Sequence, residues 1–214
     1  MRRPTLQLSL IAVSIGMALA ASAQAQSKLN GQSEAIARLS ANTSGTAQVS
    51  FSNATGAARF IRVAPGTNLI VQSRVRASTD AAKQNDSNRF LTEYASLFGI
   101  SNPGAELKSS RIARDRQGRT HITYKQHYQG VPVFGAELKT HFDASDNLMA
   151  VNGTFVPGID LNVTPTRSAE EARATAIENV KASLGRVAIL ASSQPTLMVY
   201  REGLARGIER PLEV

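Results

Sequence analysis

His121, His127 and His141 are the residues best suited to metal chemistry, because an imidazole nitrogen is a common zinc ligand. An even separation puts His121 and His127 on one face of a strand, and a neighbouring strand could bring His141 nearby. Six residues of strand, however, separate the first two by roughly 20 Å at about 3.3 Å per residue, too far to share an ion. Solvated or hydrogen-bonded strand histidines are therefore expected. The zinc-protease helix pattern His-Glu-x-x-His is absent, since His121 precedes Ile122, His127 precedes Tyr128 and His141 precedes Phe142. There is no Gly-x-Ser-x-Gly nucleophile elbow. Asp143, Asp146 and Asn147 read as a solvated turn, because no calcium-loop series of oxygen ligands follows them. Glu170 and Glu171 suit the start of a helix better than acid–base work. Asn-x-Ser/Thr triplets, at Asn53 and Asn152 for example, carry meaning only in a glycosylating host. The expected set of catalytic, cofactor-binding and metal residues is empty.

The elements around these histidines have a strand period. Ile122, Tyr124 and Tyr128 alternate with Thr123, Lys125 and His127, while Gln126 interrupts the apolar row. Gly130-Val131-Pro132 supplies a turn. A second strand then places Phe134, Ala136, Leu138 and Phe142 on one face and Glu137, Lys139 and His141 on the other. Asp143 to Asn147 is turn chemistry, and Leu148 to Phe155 returns as a third strand. An antiparallel meander results. A helix from Arg89 to Phe98, capped by Asn88 or Ser87 and stopped by Gly99, presents Phe90, Tyr94, Leu97 and Phe98 to cover the meander's apolar face, Phe134 included. Upstream, Gln48 to Phe51 and Ala57 to Val63 form a hairpin-like pair, and Leu69 to Val75 continues extended. Downstream, Ser168 and Glu171 form a capping box for a helix with Ala172, Ala176, Ile177, Val180 and Leu184 on one face, closed by Gly185. Thr196 to Tyr200 reads as a strand, and Leu212 to Val214 as the start of another.

The run Gly118-Arg-Thr-His-Ile-Thr-Tyr-Lys-Gln-His-Tyr-Gln-Gly-Val-Pro-Val-Phe-Gly135, continued through His141 and closed by Leu148 to Gly153, resembles the fungalysin/thermolysin propeptide (FTP) domain. The residues that carry the likeness are Gln126, Tyr128, Gly130, Val131, Pro132, Val133, Phe134, Gly135, Glu137, Asn152 and Gly153, all with structural roles. The helix opened by Ser168 and followed by strand pattern is similar to the PepSY domain that follows FTP in such prosegments. The resemblance implies an α+β chain: an FTP-like meander covered by a helix over 48–157, then a partial PepSY-like helix and hairpin over 158–214. It also implies an intramolecular folding chaperone and temporary inhibitor of a secreted thermolysin-like zinc metalloprotease, and not an enzyme in itself. The partner is a thermolysin-like zinc protease domain, in cis or in trans. Zinc, and calcium with it, belong to that domain, and no cofactor is expected in this chain. A stand-alone exported inhibitor or binding module is the alternative. On this reading the sequence stops within the second unit and the protease lies outside it.

Composition narrows the rest. Residues 1–25 have basic Arg2 and Arg3, an apolar stretch from Leu6 to Ala20, and small-x-small cleavage sites, with cleavage after Ala25 preferred. They read as a Sec-type signal peptide, so a secreted or periplasmic location is expected, with no stable membrane anchor after cleavage. Residues 26–47 are polar and small, and read as a flexible lead with at most one short helix. The formal charge of +8 includes Arg2 and Arg3, and the other basic residues are scattered without an aromatic ladder, which argues against a nucleic-acid surface. With no cysteine, disulfides and thiolate metal sites are excluded, and packing and hydrogen bonds must hold the fold.

Overall fold

A computed structural model describes residues 9–70, 79–184 and 192–205. The chain is α+β. Helix α1 (Ser9–Asn42) precedes strands β1 (Gln48–Phe51) and β2 (Ala58–Arg62). Helices α2 (Asp80–Glu93), α3 (Ala95–Phe98) and α4 (Pro103–Glu106) lead to β3 (Leu107–Arg114), β4 (Thr120–Tyr128), β5 (Val131–Phe142) and β6 (Leu148–Thr154). Helices α5 (Ala169–Leu184) and α6 (Glu202–Ala205) follow. Among the described residues one antiparallel sheet of six strands runs in the order β1-β2-β6-β5-β4-β3. Strand β4 and the second half of β5 alternate in burial, and Ile61, Ile122, Tyr124, Leu138, Phe142, Leu148 and Val151 line the face that meets Phe90, Leu91, Tyr94, Leu97 and Phe98. The helix-over-meander expectation therefore holds at the rings of α2 and α3, and Gly99 stops α3 at a φ of 72°.

Several boundaries differ from the sequence reading, each for a local reason. The covering helix begins at Asp80, where the Thr79 hydroxyl accepts the Ala82 amide, so Ser87 and Asn88 lie within it rather than at its cap. Its first half is polar and has no apolar period to read. It is nonetheless packed on the sheet, because Ser87 bonds Thr140 at 2.8 Å and the nearly buried Lys83 reaches Asp146 at 2.7 Å. Strand β3 was not expected, since as an edge strand it is almost wholly exposed and shows no alternation. The segment 26–47, read as a flexible lead, is helical through Asn42. Gln32, Ala35 and Leu39 fall on one helical stripe and are buried, Ala35 and Leu39 within the main core.

Phe134 is a second correction: it is 47% exposed and rests against Tyr200, not under the helix. Gly135, at a φ of 71°, kinks β5, and the register slips between Lys125 and His127 opposite. Such a bulge inverts which side chains face inward, so Val133 and Ala136 are buried while Phe134 turns out. The turn itself is Gln129-Gly130, both at positive φ, and Val131 and Pro132 already pair with Tyr128 and His127.

The carboxy-terminal portion departs further. Helix α5 has the expected capping box, with the Ser168 amide on Glu171 and the Glu171 amide on Ser168 Oγ. No residue of α5 is buried, and Val180 and Leu184 are 43% and 65% exposed. The expected strand Thr196 to Tyr200 makes one parallel bridge, Val199 to Val133. Gly185, Val71 to Val75 beyond the described Leu69-Ile70, and the strand start Leu212 to Val214 lie outside the described residues.

Candidate functional site

The residues singled out in the sequence converge on the β4–β5–β6 sheet. Gln126 continues the inward row of Thr120, Ile122 and Tyr124 instead of breaking it. Its side-chain amide donates to the Val156 carbonyl at 2.7 Å and accepts the Val156 amide at 2.8 Å. A side chain thus substitutes for a strand backbone and fastens the segment after β6. Val156 joins Val133, Ala136 and Val199 in a second small core, against which Tyr128, Val131 and Ile159 pack. The Val199 amide donates to the Pro132 carbonyl, and the Phe134 amide donates to the Val199 carbonyl. The first half of β5 is therefore not left as a bare edge where β6 has ended. A shallow open cavity of about 360 Å³ lies beside this region, lined by Gln126, Tyr128, Gly130, Val156 and Ile159 among others.

Gly153 has a steric reason. A Cβ there would sit about 2.0 Å from the Glu137 carbonyl oxygen, and its φ of 140° is foreign to other residues. Glu137 instead pairs with Lys139 at 2.7 Å on the face away from the helices. Asn152, one register step along, presents Oδ1 to His141 Nε2 at 2.6 Å.

His121 and His141 are directly opposite across β4 and β5, with their Nδ1 atoms 2.7 Å apart. His121 Nε2 lies 3.3 Å from Asp115 Oδ2, while Asp115 Oδ1 accepts the Gln117 and Arg119 amides. Asp115, His121, His141 and Asn152 thus form a half-buried polar chain across three strands and a turn. Desolvation acts upward on the Asp115 carboxyl, but the Arg119 and Gln117 amides and the adjacent His121 outweigh it and hold it below the usual carboxylate range. Burial pushes the His141 imidazole down. Asn152 acts the other way, and the neighbouring His121 and Lys139 add to the depression. His127 stands apart, its Nδ1 on the Lys125 carbonyl. The sequence allowed a neighbouring strand to bring His141 near and put His121 and His127 too far apart to share an ion; the ladder register makes His141 the partner of His121.

Among the described residues no group of three or more His, Cys, Asp or Glu side chains could hold a metal ion. The Asp143 carboxylate accepts the Ser145 and Asn147 amides, which makes it a turn former.

Residues 105–155 match the Fungalysin/Thermolysin Propeptide Motif, which spans α4 to β6. The chain is 34% identical over 86 residues to Bacillolysin of Bacillus subtilis (strain 168), covering 40% of this chain and 16% of that protein. It is 28% identical over 122 residues to Thermolysin of Alicyclobacillus acidocaldarius subsp. acidocaldarius, covering 54% of this chain and 22% of the other. Against Bacillolysin of Brevibacillus brevis the figures are 30% over 102 residues, 45% and 19%. The chain therefore spans about a fifth of the length of these relatives or less. No solved structure matches it significantly. The sheet formed by residues 105–155 carries a fungalysin/thermolysin propeptide motif, and with the bacillolysin and thermolysin similarity it supports a protease propeptide.

Proposed function

We propose that this chain is the prosegment of a secreted thermolysin-like zinc metalloprotease, which it helps to fold and holds inactive until it is cut away. The observation that carries this reading is the propeptide motif over residues 105–155. A partner that binds the folded protease and not the unfolded one shifts the equilibrium toward the native form. The same contacts block substrate while the prosegment stays bound. The sheet face away from the helices, on which Arg62, Arg111, Lys125 and Lys139 stand in neighbouring cross-strand rows, is the surface this reading gives to the protease. Residues 1–25 serve as the export signal, and the carboxy-terminal residues form part of a PepSY-like unit. Among the described residues no helix is long and apolar enough to cross a membrane.

The test uses the chain in trans with denatured and with active Bacillus subtilis bacillolysin and thermolysin. It should raise the yield of active enzyme on dilution from denaturant and slow peptide cleavage, with micromolar-scale affinity, about 8 kcal/mol. If saturating chain changes neither refolding nor activity of either protease, the reading is wrong.

A further inference from the structure

We propose that Asp115, His121, His141 and Asn152 form an acid-sensitive clasp on the sheet face away from the helices. A hydrogen bond between the facing Nδ1 atoms closes it, and protonation of both rings opens it. The proton count leads there. The ionised Asp115 carboxylate only accepts, so His121 Nε2, 3.3 Å from Oδ2, donates to it. Asn152 presents Oδ1 at 2.6 Å, so His141 Nε2 donates as well. The two Nδ1 atoms stand 2.7 Å apart, which is hydrogen-bond distance with room for one proton. With one proton there, one ring donates and the other accepts, and Asp115 balances the single positive charge. With a second proton each Nδ1 is a donor, no lone pair is left between them, and two like charges meet. The contact must then break.

The clasp ties the turn after β3 to β4, β4 to β5, and β5 to β6. Its surroundings make the second proton costly. Among the described residues Asp115 is the carboxylate that bonds the pair. Lys139 on β5 adds positive field at His141, and Glu137 beside it is bound to that lysine. Arg62 of β2 lies in the same cross-strand row as the pair, while Arg111 of β3 lies in the next and Lys125 of β4 beyond it. The turn after β3 also carries the exposed Arg116 and Arg119, and β6 has no charged residue. Burial, the neighbouring His121 and Lys139 hold the His141 imidazole below its ordinary range, against the opposing bond to Asn152. The folded chain therefore resists a proton that the unfolded chain accepts near pH 6.5. The stability from the clasp is whole above about pH 6.5 and is lost as pH falls below it. Asp115 stays ionised through this window, because it is held below the usual carboxylate range. On the propeptide reading the clasp lies on the face given to the protease, so acid loosens that face. The clasp does not require that reading, and its test uses no protease.

The experiment follows urea melts of the full chain from about pH 7.5 to about pH 5, with nitrogen-detected histidine NMR at both ends. The denaturation midpoint should fall with pH, with up to about one proton taken up on unfolding near pH 6. His121→Gln and His141→Gln should each remove at least about half of that fall, because Gln does not titrate. His127→Gln, whose ring lies against the Lys125 carbonyl and outside the clasp, should keep it whole. At neutral pH a nitrogen–nitrogen coupling through the hydrogen bond should link His121 Nδ1 to His141 Nδ1, and acid should abolish it. An acid fall retained in full by both histidine variants, or no such coupling at neutral pH, would overturn the clasp. If the variants fail to fold, the coupling in the unaltered chain decides the matter alone.

Discussion

At the scale of single residues, polar side chains do structural work that apolar ones could not. Gln126 satisfies both backbone groups of Val156 in a buried setting, where each unmet group would cost about 1–3 kcal/mol. Gln126→Leu has the right size and the wrong chemistry. It should lower stability by about 2–4 kcal/mol in urea melts, and a loss under about 1 kcal/mol would contradict the backbone-surrogate role. Tyr124 carries a pH signature. Burial pushes its phenol up to about 12, with the Ser87 hydroxyl acting the other way. A folded value above the unfolded one of about 10 means that stability is whole below pH 10 and is lost as pH rises toward 12. Two units correspond to about 3 kcal/mol, so Tyr124→Phe should flatten the alkaline limb of a stability-versus-pH curve. Phenolate absorbance of the folded chain should show the Tyr124 step last; its appearance near pH 10 would contradict the burial.

Among the elements, β5 shows how one glycine redirects a strand. Phe134 and Phe142 have equal parity in the sequence, yet the bulge at Gly135 puts the first outside at 47% exposure and leaves the second fully buried. Phe142→Ala should therefore cost about 3–5 kcal/mol, as ring deletions from a core do. Phe134→Ala should cost less than about 1 kcal/mol, because the ring is 47% exposed and rests on the exposed Tyr200. Parallel thermal melts of the two variants check this, and equal losses would show that the bulge is misplaced. Helix α2 makes the complementary point. Its polar half is anchored by Lys83 and Ser87, so a helix without an apolar period can still lie on a sheet when its polar groups find partners there.

For the molecule as a whole, the amino-terminal helix belongs to the core. Ser96 Oγ donates to the Gly31 carbonyl, Gln32 donates to the Gly56 carbonyl, and Asn42 donates to the Tyr94 hydroxyl. The buried Gln32, Ala35 and Leu39 all lie beyond the expected cleavage after Ala25. Leu39→Ala should destabilise by about 2–5 kcal/mol, whereas an unpacked lead would tolerate it with no change in the denaturation midpoint. Helix α5, by contrast, has no buried residue and Leu184 is 65% exposed, so Leu184→Ala should leave the same midpoint unmoved.

Local chemistry was legible in the sequence wherever a side chain's neighbours in the chain decide its state. The hairpin strands at Gln48 and Ala58, the stop at Gly99, the Asp143 turn and the Ser168–Glu171 capping box all follow from contacts within a few residues. The propeptide resemblance was legible for the same reason, since its dense run lies on one hairpin. Tertiary structure decided what depends on register and on surfaces far away in the chain. Edge strand β3 has no burial to pattern it, and Gln126 looks like a break until Val156 arrives 30 residues later. Phe134 faces outward only because a bulge changes the phase. His121 meets His141 only because the ladder aligns them, and α1 is ordered by α3. Period along a strand tells which residues share a face; only pairing between strands tells which of them touch.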